Sequence, residues 1–96
     1  MNRLPNIHPG EILQAEFLSE FNITAYRLAQ DLRIPQTRVA AILKGKRRIT
    51  TDTALRLGRY FGMSEGFFLR LQDQYELLQA KRALNGDLDR IVPRAA

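Results

Sequence analysis

The chain has 96 residues, of which 45% are apolar and 26% charged, and its formal net charge is +5. This size and composition indicate one globular domain, and the absence of cysteine excludes disulfides, cysteine zinc sites and thiol catalysis. No stretch resembles a signal peptide or approaches the roughly 18 apolar residues of a membrane span. We therefore expect a cytoplasmic protein without a membrane partner.

The apolar pattern predicts five helices and no strand, and thus an all-α fold. The first helix is expected to open at His8-Pro9-Gly10-Glu11 and to end near Phe21-Asn22. Proline suits the first turn of a helix, and an acid there suits the positive end of the helix dipole. His8, the only histidine, is accordingly expected to be a helix-start residue and not a ligand or a base.

The second and third helices are predicted over 24–32 and 35–44, with Thr24 as a cap, Pro35 in a first turn and Gly45 after the last turn. Each carries an apolar stripe: Leu28, Ala29 and Leu32 in the one, Val39, Ile42 and Leu43 in the other. Two short helices at this spacing are typical of a helix-turn-helix, whose second helix enters the DNA major groove.

The fourth helix follows a Thr50 cap and is expected to bury Leu55, Leu57 and Phe61 before Gly62 ends it. The fifth is predicted from Ser64 for about 20 residues, with an apolar side made of Phe67, Phe68, Leu71, Tyr75, Leu78 and Ala80. We expect one domain over 1–83, with its helix-turn-helix at about 24–44 and a C-terminal helix at about 64–83. Residues 84–96 are expected to form a loosely docked tail.

The positive charge is concentrated in one segment. Residues 33–48 contain no acid and six cations, which are Arg33, Arg38, Lys44, Lys46, Arg47 and Arg48. The rest of the chain is nearly balanced, since 1–23 sum to −2, 24–32 to zero and 49–96 to +1. Such a directed field is expected of a surface that meets DNA phosphates.

The chain resembles the lambda-repressor-like (Xre-type) helix-turn-helix family in the pattern Leu28-Ala29…Leu32-Arg33-Ile34…Val39…Ile42-Leu43-Lys44-Gly45-Lys46-Arg47…Ile49-Thr50. A narrower resemblance, over roughly residues 7–83, is to the HigA-type antitoxins, also called addiction-module antidotes or virulence-associated protein I. It rests on His8-Pro9-Gly10-Glu11 with Leu13, on 43–50, on Ala54-Leu55-Arg56-Leu57 and on 64–80. The resemblance implies a five-helix fold of the lambda-repressor type with a long C-terminal helix.

The sequence departs from the family pattern in three ways. Arg33 stands where a turn glycine is common, so we expect a left-handed or otherwise strained backbone there. Phe68 takes the place of a frequent tryptophan early in the fifth helix. The fourth and fifth helices begin with Thr50-Thr51 and Ser64-Glu65 in place of a small residue and proline, which keeps the cap and drops the proline.

The resemblance implies that Gln36, Thr37 and Arg38, at the start of the third helix, read bases. Their chemistry agrees, because Gln bonds adenine bidentately, Arg bonds guanine and the Thr methyl meets the thymine methyl. Arg38 is equally able to reach a phosphate. Further phosphate contacts are expected from Thr24 at a helix N-terminus and from the loop cations Lys44, Lys46, Arg47 and Arg48.

Family members bind inverted-repeat operator DNA as two-fold homodimers, and the fifth helix is the expected dimer element through Leu71, Tyr75 and Leu78. The resemblance also implies a small mRNA-cleaving toxin, encoded by the adjacent gene, which the antitoxin neutralises. The resemblance further implies that the antitoxin and toxin together repress their shared promoter. The acidic face of the first helix, with Glu11, Glu16 and Glu20, is one candidate surface for the toxin.

Two other functions remain open. One is a stand-alone phage- or plasmid-type repressor without a toxin, and the other is a protein-interaction module that does not read DNA. An enzyme is not expected, because the sequence shows no paired carboxylates, metal cluster, glycine-rich phosphate loop or nucleophile–base set. For the same reason we expect neither a metal nor a cofactor.

Overall fold

The computed structural model describes residues 4–95 and contains, within them, five helices, one short 3-10 turn and no strand. The first helix, α1, spans residues 9–21 in three consecutive segments, Pro9–Ile12, Leu13–Leu18 and Ser19–Phe21, and the middle segment has π geometry. The others are α2 (Ala25–Leu32), α3 (Gln36–Leu43), α4 (Thr51–Phe61) and α5 (Phe67–Leu84), followed by the 3-10 turn Asp87–Arg90. The predicted all-α class is thus confirmed. The first residues of the domain predicted over 1–83 and the last residue of the tail predicted over 84–96 lie outside the residues that the structure describes.

Side chains and special backbone conformations set the helix ends. Thr24 and Thr50 cap α2 and α4, because each Oγ1 accepts a hydrogen bond from the N–H group three residues further on, at 3.1 and 3.4 Å. Gly62 ends α4 with a φ of 68°, which glycine adopts without steric strain. Pro35, expected in the first turn of the third helix, is instead its N-cap with a ψ of 140°, so α3 begins one residue later.

The turn between α2 and α3 depends on Arg33, whose φ of 60° and ψ of 43° are left-handed, as expected. A left-handed conformation costs an ordinary residue about 1–2 kcal/mol. The turn is closed by hydrogen bonds from the Arg33 and Ile34 N–H groups to the carbonyls of Gln30 and Ala29, at 3.2 and 3.1 Å. Ile34 is buried, so this turn directs an apolar side chain into the core while the Arg33 side chain stays in solvent.

The core lies where the five helices meet. Its buried apolar residues are Leu13, Leu18, Leu28, Ala29, Leu32, Ile34, Val39, Ile42, Ile49, Ala54, Leu57 and Phe68. Phe68 is fully buried, and its ring centroid lies 5.0 Å from that of Phe17 and 5.1 Å from that of Phe67. Burial of this apolar surface supplies the main stabilisation of the fold.

The expectation that Leu55 is buried is wrong, since its side chain is 46% exposed. The buried face of α4 is formed by Thr53, Ala54, Leu57 and Gly58. Successive residues of an α-helix are turned by about 100°, so Leu55 leaves this face although it is next to Ala54.

The start of α1 packs closely on the end of α3 through Gly10. A Cβ atom on Gly10 would lie 1.8 Å from the Ile42 carbonyl oxygen, which only glycine avoids. Leu13 and Leu18, five residues apart, are both buried, and the π geometry of that segment brings positions at this spacing to one side. None of the helices in the described range combines the length and apolar character needed to span a membrane.

Candidate nucleic-acid interface

The N-terminal turn of α3 presents polar side chains to solvent. Gln36 and Thr37 are exposed, whereas Val39 and Ile42 on the opposite side are each 2% exposed and packed in the core. The helix is therefore fixed from behind while its first turn stays open. Both exposed side chains carry groups that hydrogen-bond base edges or meet a thymine methyl.

Arg38 is oriented differently from its two neighbours. Its Nη1 atom lies 3.9 Å from Asp52 Oδ2 at the start of α4, and its side chain is 29% exposed. The Nε atom of Arg38 is buried and makes no hydrogen bond within residues 4–95. Asp52 is also paired with Arg56 at 3.2 Å. Arg38 is thus folded towards the junction of α3 and α4.

The junction between α2, α3 and α4 is closed by Arg56. Its Nη1 atom donates to the Leu32 carbonyl at 2.8 Å, at the negative end of α2, while its Nε atom bonds Asp52. A second link joins α2 to α4, because the Tyr60 hydroxyl donates to Asp31 at 2.6 Å. This hydrogen bond, followed by that from Arg27, lowers the pKa of Asp31, and it raises the pKa of Tyr60.

Thr24 lies exposed at the N-terminus of α2, and its hydroxyl is used as the helix cap. The carbonyl of Thr24 accepts from Leu28 N–H at 2.9 Å, and its Oγ1 accepts from Arg27 N–H. The first N–H groups of a helix have no partner inside the helix and, together with the dipole, favour an anion. The start of α2 is therefore suited to a phosphate.

The loop after α3 carries exposed cations on an ordered backbone. Gly45 ends the helix with a φ of 73°, its N–H bonded to the Ile42 carbonyl at 3.0 Å, and Lys46 N–H bonds the Ala41 carbonyl at 2.9 Å. Lys44, Lys46 and Arg47 are exposed, and no ion pair within residues 4–95 involves them. These three side chains are free to meet an anionic partner.

Arg48, predicted as a further phosphate contact, is paired within the chain. Its Nε atom lies 2.7 Å from Glu76 Oε2 in α5, with both side chains about half-exposed. The hydrogen bond raises the pKa of Arg48, and together with a second one from Gln72 it lowers the pKa of Glu76. Arg48 therefore shares its charge with an acid that sequence reasoning did not connect to it.

Gln72 is a polar residue inside the core, and the sequence predicted no role for it beyond its place in the family pattern. Its side chain is 1% exposed, its Oε1 accepts from Ile49 N–H at 2.8 Å, and its Nε2 donates to Glu76 Oε2 at 2.7 Å. The only sequence signal is a glutamine at a position where the apolar stripe of the fifth helix would bury it. The side-chain amide of Gln72 thus joins the loop after α3 to α5.

The side chains predicted for the dimer interface make contacts inside their own protomer, and they are buried to different extents. Leu71 packs against the core. The Tyr75 ring meets the His8 ring edge-on at a centroid distance of 5.0 Å, and Leu78 is partly buried. The strongly exposed apolar side chain in this part of α5 is Leu77, at 64%.

The acidic face of α1 is accessible. Glu11, Glu16 and Glu20 are all exposed, and the first two line an open depression of 300 Å³ whose other walls are Ile7, Ile12 and Ala15. Acidic groups around a partly apolar floor suit a basic partner surface.

His8 is the N-cap of α1, as expected of a helix-start residue. Its Nδ1 atom accepts from Gly10 N–H at 2.8 Å, which requires that this nitrogen carry no proton. Burial lowers the pKa of His8, and the charge of Glu11 only partly opposes this effect. Within residues 4–95 no group of three or more His, Cys, Asp or Glu side chains is arranged to hold a metal ion.

The fold and this surface define the class of protein. The family model described as helix-turn-helix matches residues 14–68. The chain belongs to this family, in its lambda-repressor-like, Xre-type form. Virulence-associated protein I of Dichelobacter nodosus is 43% identical to the chain over 81 residues, which are 84% of this chain and 75% of that protein.

Solved structures narrow the class to the HigA-type antitoxins. The Pseudomonas aeruginosa antitoxin HigA with the higBA promoter superposes with a TM-score of 0.87 at 39% identity, covering 96% of this chain and 100% of that one. An addiction module antidote protein of the HigA family from Coxiella burnetii gives a TM-score of 0.86 at 42% identity with the same coverage. The family resemblance predicted from the sequence is thereby confirmed.

Proposed function

We propose that the chain is the antitoxin of a type II toxin–antitoxin module that binds operator DNA as a dimer and represses its own operon. The observation that carries this proposal is the exposed pair Gln36 and Thr37 on α3, followed by a loop in which Lys44, Lys46 and Arg47 form no ion pair within residues 4–95. The similarity to an antitoxin solved with its promoter DNA supports it.

Sequence readout is assigned to the first turn of α3. Gln36 is suited to adenine, and the Thr37 methyl to a thymine methyl; a good bidentate contact discriminates by about 1–3 kcal/mol. Arg38 contributes after leaving Asp52, from which its guanidinium is 3.9 Å away in the free protein. A pair at that distance with an exposed acid is weak, so a guanine or a phosphate competes with it effectively.

Phosphate contacts position α3 without reading sequence. They come from the N-terminus of α2 at Thr24 and from Lys44, Lys46 and Arg47. Arg48 contributes less, because its guanidinium is shared with Glu76 at 2.7 Å.

The DNA half of the proposal is tested with the DNA that lies upstream of the protein's own gene. Fluorescence anisotropy on this DNA and on a scrambled duplex gives both affinities from 50 to 200 mM salt. A protein making six or more phosphate contacts is expected to lose on the order of 10³-fold in affinity over this range. Binding that ignores salt, or equal affinity for both duplexes, would contradict sequence-specific DNA binding and favour a protein-interaction module.

The toxin half of the proposal concerns a small mRNA-cleaving enzyme from the adjacent gene, docked on the acidic face of α1. The family similarity supports the toxin, and the exposed Glu11, Glu16 and Glu20 support the surface. Charge complementarity between this face and a basic nuclease would steer and orient the complex.

Co-expression with the adjacent gene product tests this half. The wild-type chain is expected to restore growth and to co-purify with the toxin, whereas Glu11→Lys with Glu16→Lys is expected to do neither. Asp73→Lys, which reverses an exposed acid on α5, is the matched control and is expected to behave as wild type. Rescue by the double variant would show that the toxin docks on another surface. If the product of the adjacent gene is not toxic and does not bind the chain, the alternative of a stand-alone repressor would be favoured.

A further inference from the structure

The turn that ends α5 contains the dipeptide Asn85-Gly86. Asn85 is the C-cap of the helix and has a left-handed backbone, with a φ of 44° and a ψ of 55°. Gly86 follows with a φ of 94°, and both residues are exposed. None of the roles assigned so far uses either residue.

The backbone nitrogen of Gly86 is accessible and unbonded. Within residues 4–95 its N–H makes no hydrogen bond, because the bonds that close the turn run from Asn85 N–H to the Lys81 carbonyl, at 3.3 Å, and from Asp89 N–H to the Gly86 carbonyl, at 3.0 Å. Apart from the chain neighbours of Gly86, no heavy atom lies within 4 Å of the position that a Cβ would take there. The space around this nitrogen is therefore open.

We propose that Asn85 is a site of spontaneous deamidation, through which the end of α5 gains a negative charge with time. The Gly86 nitrogen attacks the side-chain amide carbon of Asn85 and forms a new C–N bond. The bond from that carbon to the side-chain nitrogen breaks, and this nitrogen takes up the proton lost by Gly86 and leaves as ammonia. Water then opens the resulting succinimide ring at either carbonyl, which yields aspartate or isoaspartate.

Glycine after the asparagine favours this reaction. It has no side chain to shield its nitrogen, and its backbone passes readily through the conformations that ring closure needs. The ψ of Asn85 has to change for the ring to close. Every described residue from 84 to 95 is exposed, and the frayed end of a helix opens at almost no cost in free energy.

Asn22 provides a comparison within the same chain. It is the exposed C-cap of α1 and has nearly the same backbone conformation as Asn85, with a φ of 55° and a ψ of 47°. The nitrogen that follows it belongs to Ile23, whose N–H donates to the Leu18 carbonyl at 2.9 Å and whose β-branched side chain packs against the core. Attack by this nitrogen requires that a hydrogen bond and a packed side chain be displaced. Asn22 is therefore expected to be stable.

Asn6 is protected in another way. Its side-chain amide donates to the Tyr75 carbonyl at 2.9 Å, and the residue after it is Ile7. Among the asparagines that the structure describes, the reaction is thus expected to be selective for Asn85.

The modification changes the end of α5 and leaves the proposed DNA surface intact. An acid at the C-terminus of a helix opposes the helix dipole, and isoaspartate adds one atom to the backbone, which disrupts the cap bond to the Lys81 carbonyl. Gln72, which joins α5 to the loop after α3, lies about 20 Å away along the helix. The reaction is independent of the proposed function, so either one stands or fails without the other.

The experiment is incubation of the full-length chain at physiological temperature and mildly alkaline pH, followed by trypsin digestion and mass spectrometry. Residues 83–90 form one tryptic peptide, in which Asn85 is the only asparagine, and residues 4–27 form another, which contains Asn6 and Asn22. The mass of the 83–90 peptide is expected to rise by the difference between an amide and an acid, while the 4–27 peptide stays unchanged. A sample digested before incubation gives the starting value. An unmodified 83–90 peptide, or equal modification of both peptides, would overturn the proposal.

The same incubation in guanidinium chloride tests whether the folded protein leaves the site open. The rate at Asn85 in the folded protein is expected to lie within about threefold of that in denaturant, because the end of the helix opens at almost no cost. A slower reaction than this in the folded protein would show that the turn protects Asn85 and would contradict the proposal. Asn85→Gln is the matched control, since its longer side chain would have to close a six-membered ring, and its 83–90 peptide is expected to stay unmodified.

Discussion

The buried side-chain amide of Gln72 accepts a hydrogen bond from the Ile49 backbone N–H at 2.8 Å and thereby ties the loop after α3 to α5. Both residues are inaccessible to solvent, at 1% and 0% exposure. The loop that carries Lys44, Lys46 and Arg47 is consequently held in place by a helix that is distant along the chain.

We expect Gln72→Met to lower the free energy of unfolding by about 1–3 kcal/mol, because it leaves the buried Ile49 N–H without an acceptor. Urea denaturation measures this loss. Gln74→Met, at an exposed position on the same helix, is the matched control and is expected to stay within about 0.5 kcal/mol of wild type. Equal stability of the Gln72→Met and wild-type proteins would show that the hydrogen bond does not hold the loop.

Lys46 and Arg48 are expected to contribute unequally to DNA affinity. Lys46→Ala removes one cation from each protomer and is expected to reduce the magnitude of the slope of log affinity against log salt by about 0.9 per protomer for any DNA sequence. Arg48→Ala is expected to change this slope less, because Arg48 is already paired with Glu76. A salt titration of both variants on one scrambled duplex makes the comparison, and a larger change for Arg48→Ala would contradict it.

His8 is expected to make the stability of the protein depend on pH below about 6.5, the usual pKa of histidine. Its pKa in the folded protein is lowered by burial, so below the usual value of about 6.5 the unfolded chain binds a proton that the folded protein does not. The contribution of His8 to the free energy of unfolding is therefore fully present above pH 6.5, and it decreases as the pH falls towards the pKa of His8 in the folded protein.

Thermal unfolding of His8→Asn checks this dependence, since asparagine caps a helix without titrating in this range. The variant is expected to show a flatter dependence of its melting temperature on pH between 7 and 5 than wild type. Asp31 and Glu76, whose pKa values are lowered, lose their charge only below this window. An unchanged slope in His8→Asn would assign the dependence to another group.

Most helix ends could be predicted from the sequence because local chemistry determines them, although α3 begins one residue later than predicted and α5 begins at Phe67 instead of Ser64. Thr24 and Thr50 cap α2 and α4 as expected, and Gly62 ends α4. The left-handed conformation of Arg33 was predictable only through the family resemblance, because relatives commonly have a glycine at this turn position. The apolar stripes of α2 and α3 likewise follow from the helical repeat.

Contacts between distant residues could not be predicted in the same way. Nothing near Arg48 in the sequence indicates that it forms an ion pair, because its partner Glu76 lies 28 residues away. Gln72 meets Ile49 across 23 residues. Leu55 was misplaced because α4 has apolar residues on more than one face, and only the packing of its neighbours decides which face is buried.

The central claim, that the first turn of α3 reads operator sequence, is tested most directly by the affinity of Gln36→Ala for the protein's own upstream DNA and for a scrambled duplex of equal length. Truncation of a base-reading glutamine is expected to weaken binding to the upstream DNA by about 1–3 kcal/mol. Binding to the scrambled duplex is expected to stay as in wild type, because the phosphate contacts are intact. An equal loss on both duplexes, or no loss on either, would contradict the claim.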